Sequence, residues 1–490
     1  MMIVGFPRFS VGRRPGVLAR QISTVFFVCL LSLLLVTSTA FACTTIIVGK
    51  AATADGSVLI AHNEELGDNS AQHLVVVPKK THSPGDVFEL YSGGSIPQPE
   101  TTNAYIASKV FDKEHIPGDF TGGINEYQVA IFNNMAWTRD IPEETAWDVK
   151  EGGVIWTEFT QMVLERAKNA REAVELIGML AEKYELSCDP GTMFGVADPN
   201  EGWWVEIARG GQWIAQRVPD DKATMRANTF RIGAVDLDDS ENVLHSKNLI
   251  SYAVKKGWYD PSSGEPFDFA KVYGQASERE DPYNTLRHEM VQKMLDEKAP
   301  RITKEHLMEI LRSHYEGTEH DKTNGYEKSP HSIEGVRTIC RVSTEVSAVA
   351  QLRRWLPAEI GGVMWWCMGT PCTGVYVPWY MGTKEIPREF QTGTNSYTRS
   401  SAYWRFFDLT ELADWNYKDV IDKVRATWRG FEVNAQILQQ DVEARALRLY
   451  SGDRNKALDL LTWYSSALAR SAYMTAEELI EEIKTEVYAQ

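Results

Sequence analysis

Acidic side chains are missing from the first 42 residues, which carry Arg8, Arg13, Arg14 and Arg20. An apolar run from Val25 to Val36 follows those arginines, and the segment closes on Ala40-Phe41-Ala42. Basic residues, then an apolar core, then an A-x-A ending is the order of a secretory leader. The uncharged stretch from Gln21 to Ala42 is long enough for a membrane anchor instead. Its apolar core is short, however, and the A-x-A stands where a signal peptidase cuts. Arg13-Arg14 makes a poor twin-arginine signal, because Pro15 follows it. The expectation is a signal peptide over 1–42, a mature chain that begins at Cys43, and an exported protein, periplasmic or extracellular.

A second long apolar run is also lacking, so no stable membrane insertion is expected after processing. Basic residues are outnumbered, 51 against 67, for a formal charge of −16 over 490 residues. Loss of the four leader arginines brings the mature charge to −20. Such a surface disfavours nucleic acid and anionic lipid as partners. Gly93-Gly94 and Gly361-Gly362 fit no phosphate-binding pattern, and there is no repeat or low-complexity tract. Nothing in the chain calls for a cofactor. Cysteine is scarce: six in all, of which Cys29 departs with the leader, leaving Cys43, Cys188, Cys340, Cys367 and Cys372. An odd count in an exported chain implies a free thiol or intermolecular pairing. The four beyond Cys43 can form up to two disulfides or remain buried thiols, and Cys367 and Cys372 are close enough to pair locally. No second Cys/His pair at zinc spacing stands beside them, and no metal is expected.

What is present concentrates at the new terminus. Cys43-Thr-Thr-Ile-Ile-Val-Gly-Lys50 is rich in β-branched residues and reads as a strand. Asp55-Gly56 signals a turn. Val58-Leu-Ile-Ala61 reads as a returning strand that runs into His62-Asn63-Glu64-Glu65. A hairpin centred near residue 54 sets Cys43 opposite Glu64 or Glu65, with His62 and Asn63 adjacent. An ordinary thiol titrates near 8.5 and an α-amine at about 7.7–8.0. Held together on one terminal residue, the amine can take the thiol proton and later return it to a leaving amine. Cleavage before Cys43 would thus create nucleophile and base in one step. Two plainer roles compete: a lipid-modified cysteine, for which Ala40 stands where a Leu-type residue is usual, and a disulfide partner.

These segments resemble the start of the N-terminal-nucleophile cysteine dipeptidases of the dipeptidase A type. That group is related to the secernins and, more distantly, to penicillin V acylases and bile salt hydrolases. The likeness continues through Asn125-Glu126-Tyr-Gln-Val-Ala-Ile131 with Asn133, His314-Tyr-Glu-Gly-Thr318 with Asp321, Gly362-Val-Met-Trp365, Pro371, and Val375-Tyr-Val-Pro378. It covers about residues 43–385 and is weaker in the tail. The resemblance implies an α/β (α+β) chain with a four-layer αββα fold, and hydrolysis through a thioester on Cys43. In the distant acylases an Arg-Asn-x-Asp stretch organises the thiol and amine. Here His62 stands at the Arg position and Glu65 at the Asp position, and an imidazole is not a permanent cation as a guanidinium is. Asn133 resembles the side chain that helps bind the oxyanion, and Asn228 a second asparagine of the site. Both asparagines also suit an ordinary strand end or turn. Glu64 is expected to bind substrate beside Glu65.

Along the remaining chain, 157–184 has helical apolar spacing. Met193–Ala197 and Trp203–Ile207 flank an Asp198-Pro-Asn-Glu-Gly202 turn and read as a hairpin. Residues 260–280 read as an irregular connection, with helices expected at about 285–298 and 303–314. Long charged helices are expected over 408–449 and 451–487. The division is then 1–42 leader, 43–400 hydrolase domain, and 401–490 helical extension packed on it. His314, Glu316, His320 and Asp321 do not share one helix face, so a hydrogen-bonded loop is expected there. Most of the fifteen Trp are expected in cores. The leading expectation is an exported dipeptidase acting on small peptides, with a homo-oligomer left open. The alternatives are an acylase of N-acyl amino acids or other carboxamides, and an inactive binding protein on the same fold.

Overall fold

The computed structural model describes residues 43–66, 71–111, 120–333, 335 and 337–488. The expected leader, 1–42, lies outside them. Cys43 opens β1 (Thr44–Val48), which returns as β2 (Val58–Glu64). β3 (Gln72–Val77), β4 (Tyr105–Val110), β5 (Phe120–Asn125) and β6 (Ala130–Met135) follow, with two short ribbons between β3 and β4. Helices α1 (Trp156–Arg166) and α2 (Ala170–Tyr184) lead to β7 (Gly191–Ala197), β8 (Gly202–Ala208), β9 (Gln212–Val218), β10 (Ala223–Arg226) and β11 (Val243–His245). Then come α3 (Pro282–Asp296), α4 (Lys304–Leu311), β12 (Val346–Leu352), β13 (Gly362–Met368) and β14 (Val377–Tyr380). The chain closes with α5 (Ala402–Trp415), α6 (Tyr417–Tyr450) and α7 (Arg454–Tyr488).

Two antiparallel sheets result, in the orders β10-β1-β2-β12-β13-β14 and β11-β9-β8-β7-β6-β5-β4-β3. Period-two alternation sorts each strand's residues between two cores. Ile47, Ile60, Ala350 and Trp366 of the first sheet meet Phe132, Met193, Trp204 and Ile214 of the second in the inter-sheet core. Ile46, Leu59, Val349 and Trp365 point the other way, onto Val291 and Leu295 of α3, Leu307 and Ile310 of α4, and Val442 of α6. Ile131, Phe194 and Val205 leave the second sheet for Phe159 and Val163 of α1 and Ile177 of α2. These are the four layers αββα. The sheets come close where β7 and β8 carry glycine: a Cβ on Gly202 would stand 2.4 Å from Ile47 Cγ2.

Local signals explain the helix limits. The 157–184 stretch is two helices, because the Asn169 side chain accepts the Glu172 N–H and starts α2 afresh. Asp281 caps α3 with Pro282 in its first turn, and Thr303 caps α4. The 408–449 stretch is also two helices, broken at Asn416 (φ −141°, ψ 57°). The 260–280 connection holds three short helical turns rather than none. Beyond residue 400, Phe406, Leu409 and Trp428 join the inter-sheet core, and Ala435, Val442 and Leu461 the outer one, so these helices share cores with the sheets. Among the described residues no helix is long and apolar enough to cross a membrane.

Candidate active site

The register of the first hairpin sets the site. Thr44 pairs with Asn63 and Thr45 with His62, which leaves Cys43 facing Glu64 just beyond the ladder. Cys43, Thr45, His62 and Glu64 share the inter-sheet face. The Cys43 thiol, 3% exposed, donates to Glu64 Oε1 at 3.3 Å and lies 3.9 Å from the Glu65 carbonyl. Burial pushes the thiol well above its ordinary range, and the Glu64 and Glu65 charges add to that. A buried thiol beside two carboxylates is protonated at neutral pH and needs a base to become a nucleophile.

The hydrogen bonds around His62 assign its protons. Asn134, on β6, spreads its two amide N–H over the carbonyls of Cys43 (2.9 Å), Ala227 (3.1 Å) and Arg226 (3.2 Å). Its Oδ1 can therefore only accept, and it does so from Thr45 Oγ1 at 2.5 Å. With its proton spent, the Thr45 oxygen accepts from His62 Nδ1 at 2.7 Å. His62 Nε2 and Glu64 Oε2, 3.2 Å apart, are left to share one proton. Phe132 stacks on the imidazole at 5.0 Å. His62 thus orients Glu64 and does not itself reach the sulfur by any hydrogen bond in the network. Asn63 points to the opposite face, where its amide donates to the Leu311 and Ile339 carbonyls.

Glu65 lies just past the end of β2. Its Oε1 accepts from Thr344 Oγ1 at 3.2 Å and its Oε2 stands 3.7 Å from Arg341 Nε. Burial raises its pKa, while Arg341, Arg287 and Arg337 pull the other way. Arg337 is itself pushed down to about 10, by burial and then by Arg287 and Arg341. Three guanidinium groups therefore stand around one carboxylate.

The two predicted asparagines part company. Asn228 is at the site: its Oδ1 accepts from Arg287 at 2.8 Å and its amide donates to the Met135 carbonyl at 3.2 Å. Asn133 is not. Odd-numbered residues of β6 face α1 and α2, and the Asn133 amide donates to Thr192 Oγ1 at 3.1 Å on that side. The strand's parity gives the inter-sheet place to Asn134. Arg287, from α3, is the group that sequence reading missed: fully buried, it donates to the Cys43 carbonyl at 3.1 Å as well as to Asn228 and Asn284. A signal for it exists, because Met290, Val291 and Leu295 put residue 287 on the apolar stripe of its helix.

An αββα sandwich with a buried thiol heading an interior strand has the architecture of an N-terminal-nucleophile cysteine hydrolase, and the molecule is a cysteine peptidase of that class. More narrowly, the chain belongs to peptidase family C69, whose family model matches residues 42–430. A protein of Salmonella dublin named as a probable dipeptidase is 33% identical over 378 residues, 72% of this chain and 83% of that one. One of Streptococcus pyogenes serotype M1, named as a probable dipeptidase B, is 26% identical over 433 residues, 84% and 86% of the two chains. Among solved structures, the penicillin V acylase of Agrobacterium tumefaciens aligns with a TM-score of 0.37 at 12% identity, over 69% of this chain and 86% of its own.

Proposed function

We propose that the chain is an exported dipeptidase that works through a thioester on Cys43 once residues 1–42 are removed. The observation that carries this reading is the protonated, carboxylate-flanked thiol at the head of β1. Among the described residues no side-chain base other than Glu64 hydrogen-bonds it, and a free Cys43 α-amine would supply one at the same residue. The amine takes the thiol proton, the sulfur attacks the peptide carbonyl, and the proton passes to the departing amine. Water then cleaves the thioester. Asn228, held by the same Arg287 that reaches the Cys43 carbonyl, is assigned the oxyanion. The basic and apolar leader, ending where the family match begins at residue 42, supports processing and export.

A dipeptide carries its ammonium and its carboxylate on adjacent residues. The site offers both counter-charges: Glu65 Oε2 has no hydrogen-bond partner among the described residues, and Arg341, part exposed, stands beside it. The test compares three proteins: the form beginning at Cys43, the same form with one alanine before Cys43, and Cys43→Ser with a free terminus. Each is assayed on dipeptides and on N-acyl amino acids. Dipeptide turnover by the free form alone is expected, with at least about a 10²-fold loss in the extended one. Equal rates in the extended form would defeat the mechanism, and turnover of acyl amino acids alone would defeat the substrate.

A further inference from the structure

The sequence offered no ligand set around His314, because the side chains that could share a ligand with it stand 17 or more residues away in the chain. His314 follows α4, His331 sits in a short helical turn, Cys340 lies ahead of β12, and Cys372 lies between β13 and β14. Their ligand atoms, His314 Nε2, His331 Nε2, Cys340 Sγ and Cys372 Sγ, converge in the fold.

The imidazole protons are fixed from behind. His314 Nδ1 lies 3.0 Å from Glu316 Oε1, and His331 Nδ1 lies 2.8 and 2.9 Å from the two oxygens of Asp414, on α5. A carboxylate accepts only, so each Nδ1 carries a proton. The two Nε2 atoms face each other 3.2 Å apart, a spacing that needs a cation between them, either a proton on one ring or a metal ion. The Sγ atoms of Cys340 and Cys372 close the same point, 3.8 and 3.6 Å from His331 Nε2. Tyr417 O–H donates to Cys372 Sγ at 3.4 Å, an approach that suits a thiolate.

We propose that His314, His331, Cys340 and Cys372 form a structural zinc site. With Zn–N of about 2.0–2.1 Å and Zn–S of about 2.3 Å, tetrahedral geometry requires N···N of about 3.4 Å and N···S of about 3.6 Å. The three spacings made by His331 Nε2, 3.2 Å to His314 Nε2 and 3.8 and 3.6 Å to the two sulfurs, match these within a few tenths of an ångström, and all four atoms lie within 4.8 Å of one another. An N2S2 tetrahedron suits zinc before calcium or magnesium, which take oxygen ligands. Glu316 and Asp414 complete two carboxylate–histidine–metal relays, which fix the tautomer and raise the basicity of each ligand. The cluster joins the 314–340 stretch, which carries Arg337 close to Glu65, to the β13–β14 connection and to α5.

The competing chemistry is a Cys340–Cys372 disulfide, which would remove both sulfur ligands. The test uses the full mature chain carrying Cys43→Ser, so that the nucleophile cannot supply a ligand. The protein is saturated with zinc, dialysed against metal-free buffer, and its metal content and free thiols are counted. About one zinc per chain is expected. It should be lost in Cys340→Ser and His331→Ala and kept in Cys188→Ser and Cys367→Ser. Cys372 and Glu316 also line a cavity of about 500 Å³, which gives a chelator access. Stripping the folded protein should lower its melting temperature, and zinc should restore it. Cobalt reloading should give the thiolate charge-transfer and tetrahedral bands, a readout that needs no mutant to fold. Less than about a tenth of an equivalent of zinc, a Cys340–Cys372 disulfide by mass spectrometry, or a cobalt spectrum without thiolate bands would overturn the assignment.

Discussion

At the scale of single residues, neighbours in sequence can have opposite fates in a strand. Asn133 and Asn134 differ by one position, yet one reaches α1's side of the sheet and the other clamps the Cys43 carbonyl. That parity was invisible to motif reading, because Asn-Asn supplies no apolar partner to fix which face is which, and a one-residue shift exchanges the faces. Cys43 and Glu64 were legible for the opposite reason: a single tight hairpin ties them, and counting across its turn gives the pair. Arg287 was legible only as a place on the apolar stripe of α3, because a contact 244 residues away leaves no trace of its partner, and the irregular 315–330 stretch that returns His331 to His314 has no periodicity to announce the approach. The asparagines yield a paired expectation. Asn228→Ala should lower kcat by about 10²–10³, as loss of an oxyanion donor does. Asn133→Ala should leave kcat within a few-fold while costing about 1 kcal/mol of stability for its hydrogen bond to Thr192. Steady-state kinetics and urea melts on both variants check it. A large loss in kcat for Asn133→Ala would contradict the facing described above.

At the scale of elements, close approach outweighs intrinsic preference. α2 lies on the second sheet with Gly178 against the Trp213 ring, and a Cβ there would come within 2.1 Å of Trp213 Cζ2. Ala in place of a mid-helix Gly gains about 0.8–1.0 kcal/mol of propensity. Overpacking a well-filled contact costs about 1–3 kcal/mol. Trp213 is held by its indole N–H to Glu182 and can give little ground, so the clash wins. Gly178→Ala should lower the melting temperature, as read by calorimetry. A rise would mean that the ring can swing aside. The same element shows why its boundary was hard to read: apolar spacing carries on through 157–184, and only Asn169 announces the restart.

At the scale of the whole molecule, the C-terminal helices act as part of the enzyme's outer wall. Arg312, at the end of α4, donates to Pro371 O at 2.9 Å and grips both oxygens of Glu432 on α6. Glu432 Oε1 also accepts the Tyr376 N–H at 2.8 Å. Removing one partner of such a buried pair leaves an uncompensated charge, at a cost of about 3–5 kcal/mol. Glu432→Ala should show that loss in a chemical melt and lose helix α6 and sheet signals together. An early separate transition for the helices would show that they fold as an independent unit. Sequence alone suggested helices beyond residue 400 from their charge and periodicity. It could not indicate that their apolar faces complete cores begun 350 residues earlier, because a helix stripe does not name its partner.

The grip of Asn134 and Arg287 on the Cys43 carbonyl has one more consequence. Newly made chain ends normally fray, since nothing upstream restrains them. Here the restraint comes from the downstream side, through an amide from the facing sheet and a guanidinium from a helix. If residues 1–42 are removed as proposed, the cut would therefore change what the terminus can do without loosening where it sits, and the Cys43 sulfur would keep its place beside Glu64.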